Sequence, residues 1–208
     1  MTVPATPFAP HGLAGALAGP GWGVVPEFVP MELVRELLSD VARRERAGEF
    51  RAAAVGAGAH RAIRPEIRGD RICWLVAPAS AAERALLERL EALRAELNRE
   101  LMLGLAELEC HYAIYAPGAR YARHLDRSPL GFERVVSVVL YLNPGWRSAD
   151  GGELVLATER GQIAIVPRAG ALAAFMSQRL EHEVRVARRP RLSLTGWFRR
   201  RPPGGMPP

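Results

Sequence analysis

Residues 135–175 read VVSVVLYLNPGWRSADGGELVLATERGQIAIVPRAGALAAF, and this stretch decides the fold. Four short apolar runs, 135–142, 153–157, 162–166 and 171–175, are separated by turn-forming residues at Asn143-Pro-Gly145, Asp150-Gly-Gly152 and Pro167-Arg-Ala-Gly170. Gly supplies backbone conformations closed to other residues, and Pro cannot donate to a hydrogen-bonded ladder, so each break reads as a turn. Working outward, a further run at 109–115 ends at Ala116-Pro-Gly118, and two more lie at 183–186 and 192–198. Many short strands at this spacing predict a mostly β chain built as a sandwich or jelly roll.

The first half has a different period. Leu33, Val34, Leu37, Leu38 and Val41 recur at helical spacing and predict a helix over 31–47. A second helix is predicted over 81–102, opened by a capping box in Ser80-Ala-Ala-Glu83 and striped by Leu86, Leu87, Leu90, Leu93, Leu97 and Leu101. Both are expected to brace one outer face of the β core. Residues 1–20, rich in Pro, Ala and Gly, are expected to form a loose arm, residues 21–198 a single domain, and residues 199–208 a basic, Pro- and Gly-rich tail.

With 208 residues, 49% of them hydrophobic, the chain can bury one sizeable core. Its net charge is +6, and every basic residue is Arg, which fits codon bias in a GC-rich genome. The arginines are interleaved with acids and cluster only at Arg188, Arg189 and Arg191 and at Arg199, Arg200 and Arg201, so nucleic-acid binding is not expected. No run of about 18 apolar residues predicts a membrane span. The N-terminus lacks the basic start and apolar stretch of a secretory signal, and two cysteines, Cys73 and Cys110, make no disulfide framework. These features together predict a cytoplasmic protein with two buried thiols.

Three residues in the β-rich half carry a metal-ligand pattern. Tyr121-Ala-Arg-His-Leu-Asp126 sets a His and a carboxylate two positions apart, and on extended backbone such positions point to one side. A second His stands fifty-six residues after Asp126, in Leu180-Glu-His-Glu-Val184, and Arg191 follows nine residues later on the next predicted strand. Two imidazoles and one carboxylate occupy one face of an octahedral iron and leave the other face open. His-x-Asp alone is a weak signal, and a lone His is more often packed than ligating; the combination carries the specificity. His11, His60 and His111 have no comparable partners.

These motifs resemble the Fe(II)- and 2-oxoglutarate-dependent prolyl 4-hydroxylases, in the branch that holds the oxygen-sensing prolyl hydroxylases and their bacterial relatives. The resemblance is carried by Ile67-Arg-Gly-Asp-Arg-Ile-Cys-Trp74, Tyr121-Ala-Arg-His-Leu-Asp126, Tyr141-Leu-Asn143, Gly151-Gly-Glu-Leu154, His182-Glu-Val184 and Arg191-Leu-Ser-Leu-Thr-Gly-Trp197. It implies a double-stranded β-helix (jelly roll) core with flanking helices. It implies that His124, Asp126 and His182 bind Fe(II), and that Arg191, as a permanently charged bidentate fork, pairs with the distal carboxylate of 2-oxoglutarate. Tyr141 would donate to that carboxylate. Tyr115 would hydrogen-bond near the keto-acid end, with a one-residue gap because Ala116 separates it from Pro117. For both tyrosines the alternative is packing with a satisfied hydroxyl.

The implied reaction consumes O2, converts 2-oxoglutarate to succinate and CO2, and hydroxylates a substrate carbon, with ascorbate a candidate reductant. Ile114, Val139, Leu156 and Val184 are read as apolar walls around the centre. Arg68, Asp70, Arg134 and Trp197 match positions beside the family's substrate channel. There, an Arg and an Asp can bond a peptide backbone and a Trp can stack on a pyrrolidine ring. A local salt bridge and core packing are the alternatives. Residues 52–61, small and Gly-rich, are read as a lid or as a loop without a role. The implied substrate is a prolyl residue in a protein or peptide, a translation elongation factor being a first candidate. Two other readings stay open: the same chemistry on a free amino acid or small metabolite, and a non-catalytic metal-binding jelly-roll interaction module.

Overall fold

The computed structural model of the chain describes residues 3–4, 12–56, 62–126 and 133–201. Twelve strands among them form two sheets. The larger joins β2 (Trp22–Val25), β10 (Leu172–Met176), β7 (Glu133–Tyr141), β12 (Arg191–Arg200), β5 (Leu105–Tyr115), β4 (Asp70–Trp74) and β3 (Arg51–Ala52) in that order, all antiparallel. The smaller joins β1 (Val3–Pro4), β9 (Gly161–Ile165), β8 (Leu154–Thr158), β11 (His182–Val184) and β6 (Tyr121–His124). The crossing of the chain between the two sheets is the jelly-roll pattern the strand spacing predicts.

Period-2 alternation sorts the side chains of the large sheet. Ala113, Tyr115, Val139, Tyr141 and Phe175 face the small sheet and meet Leu154, Leu156, Ile163 and Val184 there. The residues between them, among them Tyr112, Ile114, Val138 and Leu140, face the helices. Val139, Leu156 and Val184 therefore stand between the sheets as expected of walls. Ile114 does not: its odd–even position on β5 turns it to the helical side.

Three helices cover that outer face: α1 (Leu13–Ala18), α2 (Met31–Arg46) and α3 (Ala81–Leu101). Leu86, Leu90 and Leu97 of α3 are fully buried, each contributing about 1.5–3 kcal/mol. Ser80 caps α3 by accepting from the Glu83 amide at 3.0 Å. The predicted box is incomplete, because the Glu83 carboxylate accepts from the Ala79 amide at 2.6 Å and from Arg44 of α2 through two bonds of 2.9 Å. Glu83 so ties α2 to α3 instead of closing its own helix end.

The arm and the tail need correction. Within 1–20, the backbone of Val3–Pro4 pairs in parallel with β9, and α1 buries Leu13, Ala14, Ala16 and Leu17 against the core. The short run Leu13-Ala-Gly-Ala-Leu17 holds only two large apolar residues, too few to stand out as a periodic helix. At the other end β12 runs on to Arg200, with Arg199 paired to Glu107 and Glu109 and Arg200 to Glu133. The tail from 202 and the 57–61 part of the expected lid lie outside the described residues. The strands β2, β4 and β6, each of four or five residues, were not among the predicted strand runs.

Candidate metal and co-substrate site

The small sheet brings the two histidines together directly. His182 opens β11 and pairs in register with His124, the last residue of β6. Their rings stand 4.2 Å apart, and Phe175 of the large sheet packs edge-on against His182 at 4.6 Å. Asp126 lies just past β6, with its Oδ1 3.6 Å from His124 Nε2 and its Oδ2 3.5 Å from His182 Nε2. One ligand atom from each residue falls within 4.8 Å of the others. Three donors on one octahedral face with bonds of about 2.1 Å lie about 3 Å apart, so side-chain adjustments alone would close this set on an ion.

Proton placement suits a metal. His124 Nδ1 meets the Ala122 carbonyl at 2.8 Å and His182 Nδ1 the Leu180 carbonyl at 3.2 Å. A carbonyl only accepts, so each Nδ1 carries the hydrogen and each Nε2 keeps a free lone pair facing Asp126. Burial pushes His182 down to about 4, which keeps it neutral. Burial works against the charge of Asp126, but the neighbouring His182 and His124 outweigh it and hold the carboxyl below the ordinary range. Ser137 donates to Asp126 Oδ2 at 2.7 Å and shares a 2.9 Å hydrogen bond with Ser177. Both serines are fully buried, so they fix the orientation of the carboxylate.

Arg191 lies further along the same face of the large sheet. It is 1% exposed, its Nε donates to the Gly152 carbonyl at 2.8 Å, and one terminal nitrogen reaches Ser193 Oγ at 3.3 Å. No carboxylate pairs with it among the described residues. A buried cation without an anion is destabilising, and an incoming carboxylate removes that penalty. Tyr115 and Tyr141 flank the guanidinium with ring centres 5.1 and 5.3 Å away. Burial pushes Tyr141 up to about 12 and Tyr115 higher, so both phenols hold their protons. The Tyr141 hydroxyl is buried and has no partner among the described residues. Gly152 makes room: at φ +68°, a Cβ there would stand 3.1 Å from Arg191 Cδ and 3.2 Å from the Trp146 ring. The donor set and the orphaned guanidinium and phenol fit a metal-chelating dicarboxylic acid.

The four residues expected near substrate fall into two groups. Arg68 grips Asp70 through bonds of 2.8 and 3.0 Å, and its guanidinium covers Tyr121 at 4.7 Å. Arg134 pairs with Glu109 at 2.8 Å and covers Trp197 at 3.6 Å. Several site-facing residues were missed in the sequence. Tyr121 stacks on His124 at 3.7 Å with planes 17° apart. Ser137 shares the parity of Val139 and Tyr141, and His111 that of Ala113 and Tyr115; extending the alternation places both on the site face. Ser177 sits in a turn and gave no periodic signal.

A two-sheet jelly roll holding a His–Asp–His centre beside a buried Arg that has no carboxylate partner among the described residues fits a mononuclear non-heme iron oxygenase of the kind that takes a keto-acid co-substrate. The family model for the 2OG-Fe(II) oxygenase superfamily matches residues 110–199. A prolyl-4-hydroxylase from Pseudomonas putida is 42% identical, with 93% of this chain and 100% of that one covered at a TM-score of 0.84. A prolyl hydroxylase from Trichoplax adhaerens, solved with a hypoxia-inducible-factor oxygen-degradation-domain peptide, is 29% identical, with coverage of 91% and 88% and a TM-score of 0.81. A viral collagen prolyl hydroxylase from Paramecium Bursaria Chlorella virus-1 shares the fold at 15% identity, with coverage of 89% and 99% and a TM-score of 0.64. The chain belongs to the 2OG-Fe(II) oxygenase superfamily, in its prolyl hydroxylase-like family, whose members use Fe(II), 2-oxoglutarate and O2.

Proposed function

We propose that this dioxygenase hydroxylates a prolyl residue in a protein or peptide, with His124, Asp126 and His182 as the iron ligands. The observation that carries the substrate reading is the 42% identity, over 93% of the chain, to a prolyl-4-hydroxylase. With iron bound, O2 and 2-oxoglutarate supply the oxidant: one oxygen atom enters the substrate C–H bond as a hydroxyl, and the other leaves in succinate alongside CO2. The protein's part is placement. His124 and His182 offer Nε2 because their Nδ1 hydrogens are held by backbone carbonyls. Ser137 engages one oxygen of Asp126 and so favours coordination through the other. Arg191 and the Tyr141 hydroxyl grip the far carboxylate of the diacid, and Tyr115 hydrogen-bonds nearer its keto-acid end. Val139, Leu156 and Val184 exclude water from the reacting carbon.

The substrate chain is assigned to the side of Arg68, Asp70, Arg134 and Trp197. We place the protein in the cytoplasm, supported by two free, buried cysteines and by the absence, among the described residues, of a helix long and apolar enough to cross a membrane. A translation factor is one candidate partner. The test is mass spectrometry of cellular proteins with and without the enzyme, matched to succinate release in vitro. A gain of one oxygen on specific prolines supports the reading; hydroxylation of free proline but of no peptide refutes it.

A further inference from the structure

Among the described residues, His111 is the one buried histidine that the metal centre leaves unused. It sits on β5 with its side chain on the face of Ala113 and Tyr115, between Thr195 of β12 and Trp74 of β4 in the register. The residue is 1% exposed, and its Nδ1 has no hydrogen-bond partner among the described residues. Trp74 stands edge-on to the ring at 4.8 Å, Trp197 lies 5.4 Å from it, and the two tryptophan rings are 6.3 Å apart, so the three rings form one cluster. Trp74 is 42% exposed and Trp197 is buried, so this aromatic tier runs inward from the surface. Burial, reinforced by the charges of Arg68 and Arg134, lowers His111 to about 3, with Asp126 acting weakly the other way. The imidazole is therefore neutral and keeps one N–H donor.

Packing alone does not account for this residue. An apolar ring would fill the space beside the two tryptophans without desolvating a ring nitrogen, and a group docking against that nitrogen would satisfy it. Arg68 and Arg134, the cations that act on His111 most, belong to the two pairs assigned to the substrate side, so the imidazole lies near both. A proline-containing segment is short of donors, because proline has no N–H, and rich in carbonyl acceptors.

We infer that His111 is a specificity-determining residue: it donates a hydrogen bond to a backbone carbonyl of the substrate peptide beside the target proline, while Trp74 and Trp197 hold its ring. The inference rests on the prolyl-peptide reading. The test uses the most strongly hydroxylated peptide from a tryptic digest of the source cells' soluble proteins. His111→Phe keeps the ring and removes the donor; His111→Asn and His111→Gln restore an amide donor near either ring nitrogen. Loss of one hydrogen bond is expected to raise the peptide KM of His111→Phe about tenfold more than its 2-oxoglutarate KM, with one of the two amide variants recovering most of that difference. If the peptide and 2-oxoglutarate constants move together, or the peptide KM stays within about twofold of wild type, His111 only packs and the inference fails. If the wild-type enzyme hydroxylates no peptide in the digest, the prolyl reading falls first, a result distinct from failure of the variants.

Discussion

Replacing Arg191 with Met separates recognition of the co-substrate from stability of the fold. The guanidinium is 1% exposed, donates to the Gly152 carbonyl and faces no carboxylate among the described residues. Met preserves length and removes a desolvated charge whose effective penalty is several kcal/mol. It also leaves the Gly152 carbonyl without its donor, which costs about 1–3 kcal/mol. The two changes offset, so the melting temperature should move by no more than about 8 °C either way, at about 2–4 °C per kcal/mol for a chain of this size. Binding has no such compensation. Removing one partner of a buried charge pair costs about 2–5 kcal/mol, which weakens 2-oxoglutarate roughly 30- to 5,000-fold. Calorimetric titration of the Mn(II)-loaded protein with 2-oxoglutarate reads this directly, with thermal unfolding run in parallel. Arg191→Lys, which keeps the charge and loses the fork, should fall between the two. A dissociation constant for Arg191→Met within about threefold of wild type would refute the assignment.

Ser137→Ala removes the donor that orients Asp126 and should weaken Fe(II) binding about 10- to 100-fold in a competition titration; unchanged affinity would mean the serine pair is incidental. Gly152→Ala forces a Cβ into Arg191 and Trp146 at positive φ, so 2-oxoglutarate affinity and thermal stability should fall together, by about 1–3 kcal/mol in the latter. Glu83→Ala takes two hydrogen bonds from Arg44, leaving Glu49 as its acid partner, and should cost about 1–3 kcal/mol in urea unfolding; an unchanged urea midpoint would contradict the buried-pair account. His182 and His111 titrate near 4 and 3 in the folded chain against 6.5 for an ordinary imidazole, so the unfolded state binds protons first. Metal-free stability should therefore be complete above about pH 6.5 and fall as pH drops toward 4; urea midpoints that stay level between pH 7 and 4.5 would contradict this.

The fold was legible where period and punctuation agreed. The runs between Asn143-Pro-Gly145, Asp150-Gly-Gly152 and Gly170 became strands within a residue or two of their predicted ends, because each break is a backbone position only a turn accommodates. The leucine stripe of α3 worked for the same reason. α1 was hidden because four of its six residues are Ala or Gly and its burial comes from the core it meets. β4 carries Asp70 and Trp74 on its site-facing side, so it lacks the apolar pattern of a strand, and that side is turned to function instead of packing. The metal set could be read from residue type and spacing. What supports it could not: Ser137, Ser177 and Tyr121 act through contacts between segments far apart in sequence. Ile114 was misplaced by one step of the alternation, which on a strand is the whole thickness of the sheet.

The most direct test of the account is an anaerobic titration of the Fe(II)-loaded protein with 2-oxoglutarate, followed by visible charge-transfer absorption. A band that saturates at one co-substrate per chain, disappears in Asp126→Ala and His182→Ala, and needs far more co-substrate in Arg191→Met is the predicted result. The same band with the same saturation point in either ligand variant would contradict it.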